Sequence, residues 1–252
     1  PPPFFLHAHP GIRDFCLSRG LGDVYKRQAY LFNYFLPFSG ALLGMGIAYI
    51  VKPKAPKGLK LILSFSGAFL LGITIFHLLP SVFEVTGFNA GIWIVAGLIL
   101  QIILEFLSQG AEHGHTHKHS NTRLPWVLFI SLCLHAFIEG IPMADQKALV
   151  WGIFIHKIPI GMVLFLMIWQ LRVSLFLKVS CLVFFALMSP AGSFILSNSH
   201  GLELWKTAFT SLVIGMLLHI ATTILYESNQ GHAFNIRKLG IILLGFGLSY
   251  SL

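Results

Sequence analysis

Eight long apolar runs, separated by short polar stretches, govern what this chain can fold into. They cover residues 29–51, 61–80, 90–108, 124–144, 149–169, 173–196, 207–226 and 239–252. A helix of about 20 apolar residues crosses the roughly 30 Å of a bilayer's hydrocarbon. Inside that layer no water reaches the backbone, so only helices and closed barrels span it. The runs lack the two-residue alternation of barrel strands, which leaves helices. Only 10% of residues are charged and 56% are hydrophobic, against roughly 25% charged in a soluble domain. The three cysteines, Cys16, Cys133 and Cys181, form no CxxC pair and cannot staple 252 residues, which excludes a disulfide scaffold. An all-α integral membrane protein with eight transmembrane helices is expected. The last run has only 14 residues, about 21 Å of helix. It either thins the bilayer or belongs to a truncated chain.

Residues 1–28 read differently. Arg13, Asp14, Arg19, Asp23, Lys26 and Arg27 fall there without helical periodicity. Phe4-Phe5-Leu6 is too short for the core of a signal peptide. The segment is expected to be a disordered or non-native leader, since GIRDFCLSRGLGDVYKRQ resembles a translated sequencing adapter. Residues 29–252 then form the membrane domain, with a His-rich loop at 109–123.

The net charge of +8, from 17 Lys+Arg and 9 Asp+Glu, follows topology rather than a nucleic-acid partner. With the first span running inward, ten basic residues collect on one side: Lys52, Lys54, Lys57, Lys60, Lys118, Arg123, Arg172, Lys178, Arg237 and Lys238. Lys147 and Lys206 alone fall opposite, leader excluded. The positive-inside rule puts the basic side in the cytoplasm and both termini outside a cell membrane crossed many times. Gly40, Ala41 and Gly44 offer a small-residue face on which a second copy could dock as a homodimer.

The polar residues inside the apolar runs carry the functional signal. Glu139 and Lys157 would together cost about 5–7 kcal/mol in the bilayer centre without partners. Their plainest use is a salt bridge locking two helices. Yet His135 and Glu139, four apart, share one face of the fourth helix. His156 on the fifth falls at similar depth, because the polar turn Asp145-Gln146-Lys147 lies midway between the two histidines. Two imidazoles and a carboxylate at one level suit Zn²⁺ or Fe²⁺. Pro80, Pro142 and Pro159 should free the carbonyls of Phe76, Ile138 and Ile155. Each of these precedes one of His77, Glu139 and His156.

His77 and Glu84 of the second span have loose counterparts in His219 and Glu227 of the seventh, suggesting three-helix repeats around a central hairpin, a 3+2+3 inverted-repeat arrangement. Glu105 in the third span and His219 are weaker candidates for a polar path, and His219 alone reads as a hydrogen-bonded core residue. His113, His115, His117 and His119 alternate in the 109–123 loop, a pattern suited to loose capture of Zn²⁺, Cu²⁺ or Ni²⁺.

These residues bring the chain into line with a known family. From residue 29 onward it resembles the ZIP (Zrt-, Irt-like protein) divalent-metal transporters, through HLLP at 77–80, HAFIEG at 135–140, HKIPIG at 156–161 and the His-rich loop. The resemblance implies eight helices with both termini outside. It also implies uptake of zinc, or of iron or manganese, with metal held between the fourth and fifth helices. His77 and Glu84 resemble the family's second-helix pathway residues. Many members have Asn after the first histidine and a carboxylate four residues after the second; here Ala136 and Ile160 stand there. Both departures remove ligands from a second metal site, and Lys157 supplies a fixed positive charge in its place. This His-Lys pair is similar to one animal-type subset. A single transported cation on His135, Glu139 and His156 is therefore expected, as cargo rather than cofactor. The competing readings are a metal-dependent intramembrane enzyme, a metal efflux carrier and a purely structural helix lock. No HExxH is present, and once Glu139 ligates no neighbouring carboxylate is left as general base. An enzyme is accordingly not expected.

Overall fold

The computed structural model describes the backbone of residues 16–51, 56–85, 87–108, 125–198, 205–228 and 236–252, with side chains over 33–51, 58–85, 87–108, 125–196, 205–226 and 236–252. Residues 1–15 of the leader and the His-rich loop fall outside these residues, whereas the boundary drawn at residue 28 falls within a described helix that begins at Cys16. Two units are distinguished, Pro1–Phe32 and Asn33–Leu252. In the first, the described residues from Cys16 onward are helical.

Among the described residues there is no strand, and eight helical stretches follow one another. They are α1 (Cys16–Val51), α2 (Pro56–Ile73, continued by Thr74–Leu78 and Leu79–Phe83), α3 (Ala90–Ser108), α4 (Trp126–Gly140, continued by Ile141–Ala144), α5 (Lys147–Trp169), α6 (Leu175–Asn198), α7 (Lys206–Ser228) and α8 (Ile236–Tyr250). Seven are long and apolar enough to cross a membrane, α1 over Asn33–Val51. The eighth, α8, has 15 residues. Of the seven, α4 and α5 are the most enclosed and α3 the least, so the central hairpin is wrapped by the others.

Small residues let these helices touch backbone to backbone, the packing that serves where lipid removes any hydrophobic drive. A Cβ on Gly44 of α1 would lie 2.0 Å from the Ile158 carbonyl oxygen of α5, and one on Gly97 of α3 would lie 1.8 Å from that of Leu212 on α7. Gly40 and Ala41 also meet α5, at Phe154 and Gly161. The face considered for a second copy is thus occupied within the chain.

The order of contacts fixes direction. Gly40, Gly44 and Tyr49 meet Phe154, Ile158 and Phe165 in rising sequence, so α1 and α5 run parallel. Ala68 and Gly72 meet Gly245 and Ser249, making α2 and α8 parallel. Trp93, Gly97 and Glu105 meet Trp205, Leu212 and His219, making α3 and α7 parallel.

The prolines disturb the helices locally. Ahead of Pro80, α2 widens to a π-turn in which the Leu79 amide donates to Thr74 O. Ahead of Pro142, α4 tightens to a 3-10 turn, and the Ile141 amide donates to Ile138 O. The carbonyl expected to be freed for a cation at Ile138 therefore has a backbone partner, which corrects that expectation. Pro159 lies within an α5 that remains helical from Lys147 to Trp169.

Two apolar cores share α5. Ile160, Leu164 and Ile168 pack with α1, α4 and α6, whereas Leu149, Val150 and Ile153 pack with α2 and α7. His156 and Lys157 sit between these two stretches.

Candidate metal centre

α4 and α5 bring His135, Glu139 and His156 together. Each offers one ligand atom, and these atoms lie within 4.8 Å of one another. The two imidazole rings are 6.5 Å apart between centroids and nearly perpendicular. All three side chains are buried, Glu139 completely. A tetrahedral zinc with bonds of about 2.0–2.1 Å spaces its ligand atoms by about 3.4 Å. Side-chain adjustment on the order of 1 Å would close the cluster around a cation.

Each group is held from behind. His135 Nδ1 donates to Gln101 Oε1 of α3 at 2.9 Å, and its Nε2 stands 3.2 Å from Glu139 Oε2. His156 Nδ1 lies 3.3 Å from Ser66 Oγ of α2. Lys157 Nζ reaches Glu139 Oε1 at 2.5 Å, and Ser189 Oγ of α6 donates to the same oxygen at 3.1 Å. The Lys157 ammonium also stands 4.6 Å from the Phe185 ring centroid. Ionised groups buried alone cost several kcal/mol, so a fully enclosed carboxylate needs such partners. The ion pair and the His–Glu–His cluster therefore share one carboxylate: one oxygen faces the lysine, the other the histidine.

The remaining sequence candidates lie elsewhere. His77, half-buried, donates from Nε2 to Ser249 O of α8 at 2.8 Å. Glu84 is exposed just beyond the end of α2. His219 pairs with Glu105, linking α7 to α3 in a half-buried setting. The side chain of Glu227 and the loop residues His113, His115, His117 and His119 lie outside the described residues. Among the described residues, His135, Glu139 and His156 are the group of three or more such side chains close enough to hold an ion. Sequence reasoning passed over Gln101, Ser66 and Ser189. Gln101 carried a signal, as an amide within the apolar stretch VAGLILQIILEF. Small hydroxyls in helices give none, because they commonly satisfy themselves on the preceding turn.

A bundle of membrane-length apolar helices enclosing a His–Glu–His cluster defines a multi-pass membrane protein with a buried group of side chains close enough to hold a cation. The chain belongs to the ZIP zinc transporter family, whose sequence model matches residues 109–252, more than half of it. It is also similar to Protein zntD of Dictyostelium discoideum, 29% identical over 170 residues that cover 55% of this chain and 24% of that protein. The chain thus spans about a quarter of the length of that curated relative.

Proposed function

We propose that this chain carries divalent metal cations, zinc foremost, across a cell membrane into the cytoplasm through one metal site between α4 and α5. The observation that carries the proposal is the buried His135–Glu139–His156 cluster. Family membership supports transport rather than catalysis. Two neutral imidazoles and one carboxylate match borderline cations such as Zn²⁺ better than Ca²⁺ or Mg²⁺, which take oxygen ligands. Lys157 already holds one oxygen of Glu139, and Ile160 stands where a further carboxylate would serve a second cation. The site is accordingly a single-metal one, with the lysine as its fixed second charge.

The parallel pairs α1–α5, α2–α8 and α3–α7 are what eight alternating crossings require, and they support α8 as a crossing despite its length. The basic-residue asymmetry supports both termini outside. In the 3+2+3 arrangement, α4 and α5 form the central hairpin, and access to the site alternates as helices around it shift. His77 on α2 and Glu84 just beyond its end line the approach. Glu105, His219 and Glu227 serve a secondary polar path on α3 and α7, and the four loop histidines receive metal on the cytoplasmic side. A homodimer would have to use a face other than Gly40, Ala41 and Gly44.

Zinc flux into proteoliposomes tests the proposal. The native chain should give saturable flux, and a His135→Ala/Glu139→Ala double variant should give none. Equal flux by both would overturn it.

A further inference from the structure

We infer that Gln101 is a positioning residue for the metal ligand His135, and that Ser66 stands in the same relation to His156. This rests on the metal-site reading above. Gln101 is completely buried in α3, with Leu100 and Ile102 beside it in sequence. Burying an amide costs about 1–3 kcal/mol unless it is hydrogen-bonded. An apolar residue would fill that position without the cost. What the amide provides is an acceptor, Oε1, 2.9 Å from His135 Nδ1.

An imidazole that donates from Nδ1 keeps its lone pair on Nε2. Nε2 is the atom 3.2 Å from Glu139 Oε2, on the side where the cluster converges. In the opposite tautomer Nε2 would carry the hydrogen and could not ligate. The acceptor therefore selects the ligating tautomer and fixes the ring plane. Ser66, fully buried, meets His156 Nδ1 at 3.3 Å; a hydroxyl can donate or accept, and when it accepts from Nδ1 it leaves the His156 Nε2 lone pair available. Partners of this sort commonly govern metal affinity by about 10- to 100-fold.

Their placement has a further consequence. The three ligands stand on α4 and α5, whereas the two orienting groups stand on α3 and α2. The ligand set is fully oriented only while the central hairpin is seated against α2 and α3. Movement of the hairpin past them would loosen both imidazoles together and favour release of the cation.

Zinc flux through the full chain in proteoliposomes, across a zinc concentration series, tests this. Gln101→Leu should raise KM about 10- to 100-fold with a much smaller change in maximal rate. Gln101→Glu, equal in size and a stronger acceptor, should lower KM. Ser66→Ala should raise KM less than Gln101→Leu does. A native KM for Gln101→Leu, or equal impairment of the Leu and Glu variants, would reduce Gln101 to a packing residue and overturn the inference. Should Gln101→Leu not yield monodisperse protein, a KM for Gln101→Glu at or above the native value has the same force. Glu139→Gln, run in parallel, separates the two levels. Native flux in that variant overturns the metal-site reading and this inference with it. Its loss, beside a native KM for Gln101→Leu, overturns this inference alone.

Discussion

At the scale of single residues, Glu139 carries the most. One of its oxygens meets Lys157 and Ser189, the other His135, and no part of it reaches solvent. Removing Lys157 should leave a buried carboxylate without its cation, a change that destabilises by about 3–5 kcal/mol. Lys157→Met is expected to show that loss in thermal unfolding, and adding Glu139→Gln should restore most of it. Recovery that fails in the double variant would mean that the lysine acts through packing, as against Phe185, and not through charge. Glu139→Gln alone should reduce zinc flux by more than the about 10- to 100-fold typical of outer-shell partners, because it weakens a ligand directly. The convergence of His135, Glu139 and His156 was legible in the sequence, since a four-residue spacing on one helix and a symmetric hairpin are covalent constraints. The partners of Gln101 and Ser66 were not, because they lie 34 and 90 residues away and depend on how α2 and α3 pack. The engagement of His77 with Ser249 was hidden for the same reason, at a separation of 172.

At the scale of elements, apolar runs announce helices but not their neighbours. The seven longer spans follow from run length alone, while the side each presents to lipid or protein does not, because the runs are apolar all round. Gly44 and Gly97 encode neighbours in a form visible only after packing. A Cβ at either would press on a facing backbone carbonyl, which no rotamer change relieves. Gly97→Ala should cost about 1–3 kcal/mol, the usual penalty of overpacking. Gly46→Ala, where a Cβ meets nothing within 4 Å, is the control and should be neutral or slightly stabilising in its helix. Melting temperatures of the two purified variants check the contrast. The proline pattern was legible in position but not in outcome. A π-turn at Thr74–Leu78 and a 3-10 turn at Ile141–Ala144 absorb two of the interruptions, as helices in lipid commonly do.

At the scale of the whole molecule, the scarcity of charge concentrates chemistry. The cluster sits where α5 passes from one apolar core to the other, enclosed by α2, α3, α4 and α6. On the function proposed above, a cation entering it sheds water, and two imidazoles give up their lone pairs to it. Protons compete for those lone pairs, so zinc flux should fall as the pH is lowered. Flux that rises at acid pH would instead point to protons driving the cycle. Zinc-edge anomalous scattering from crystals of the zinc-loaded protein, with the four loop histidines replaced by alanine, tests the central claim most directly. One peak within bonding distance of His135, Glu139 and His156, about 2.0–2.2 Å, is the expected result. A peak elsewhere in the bundle, or none between α4 and α5 at saturating zinc, would contradict it.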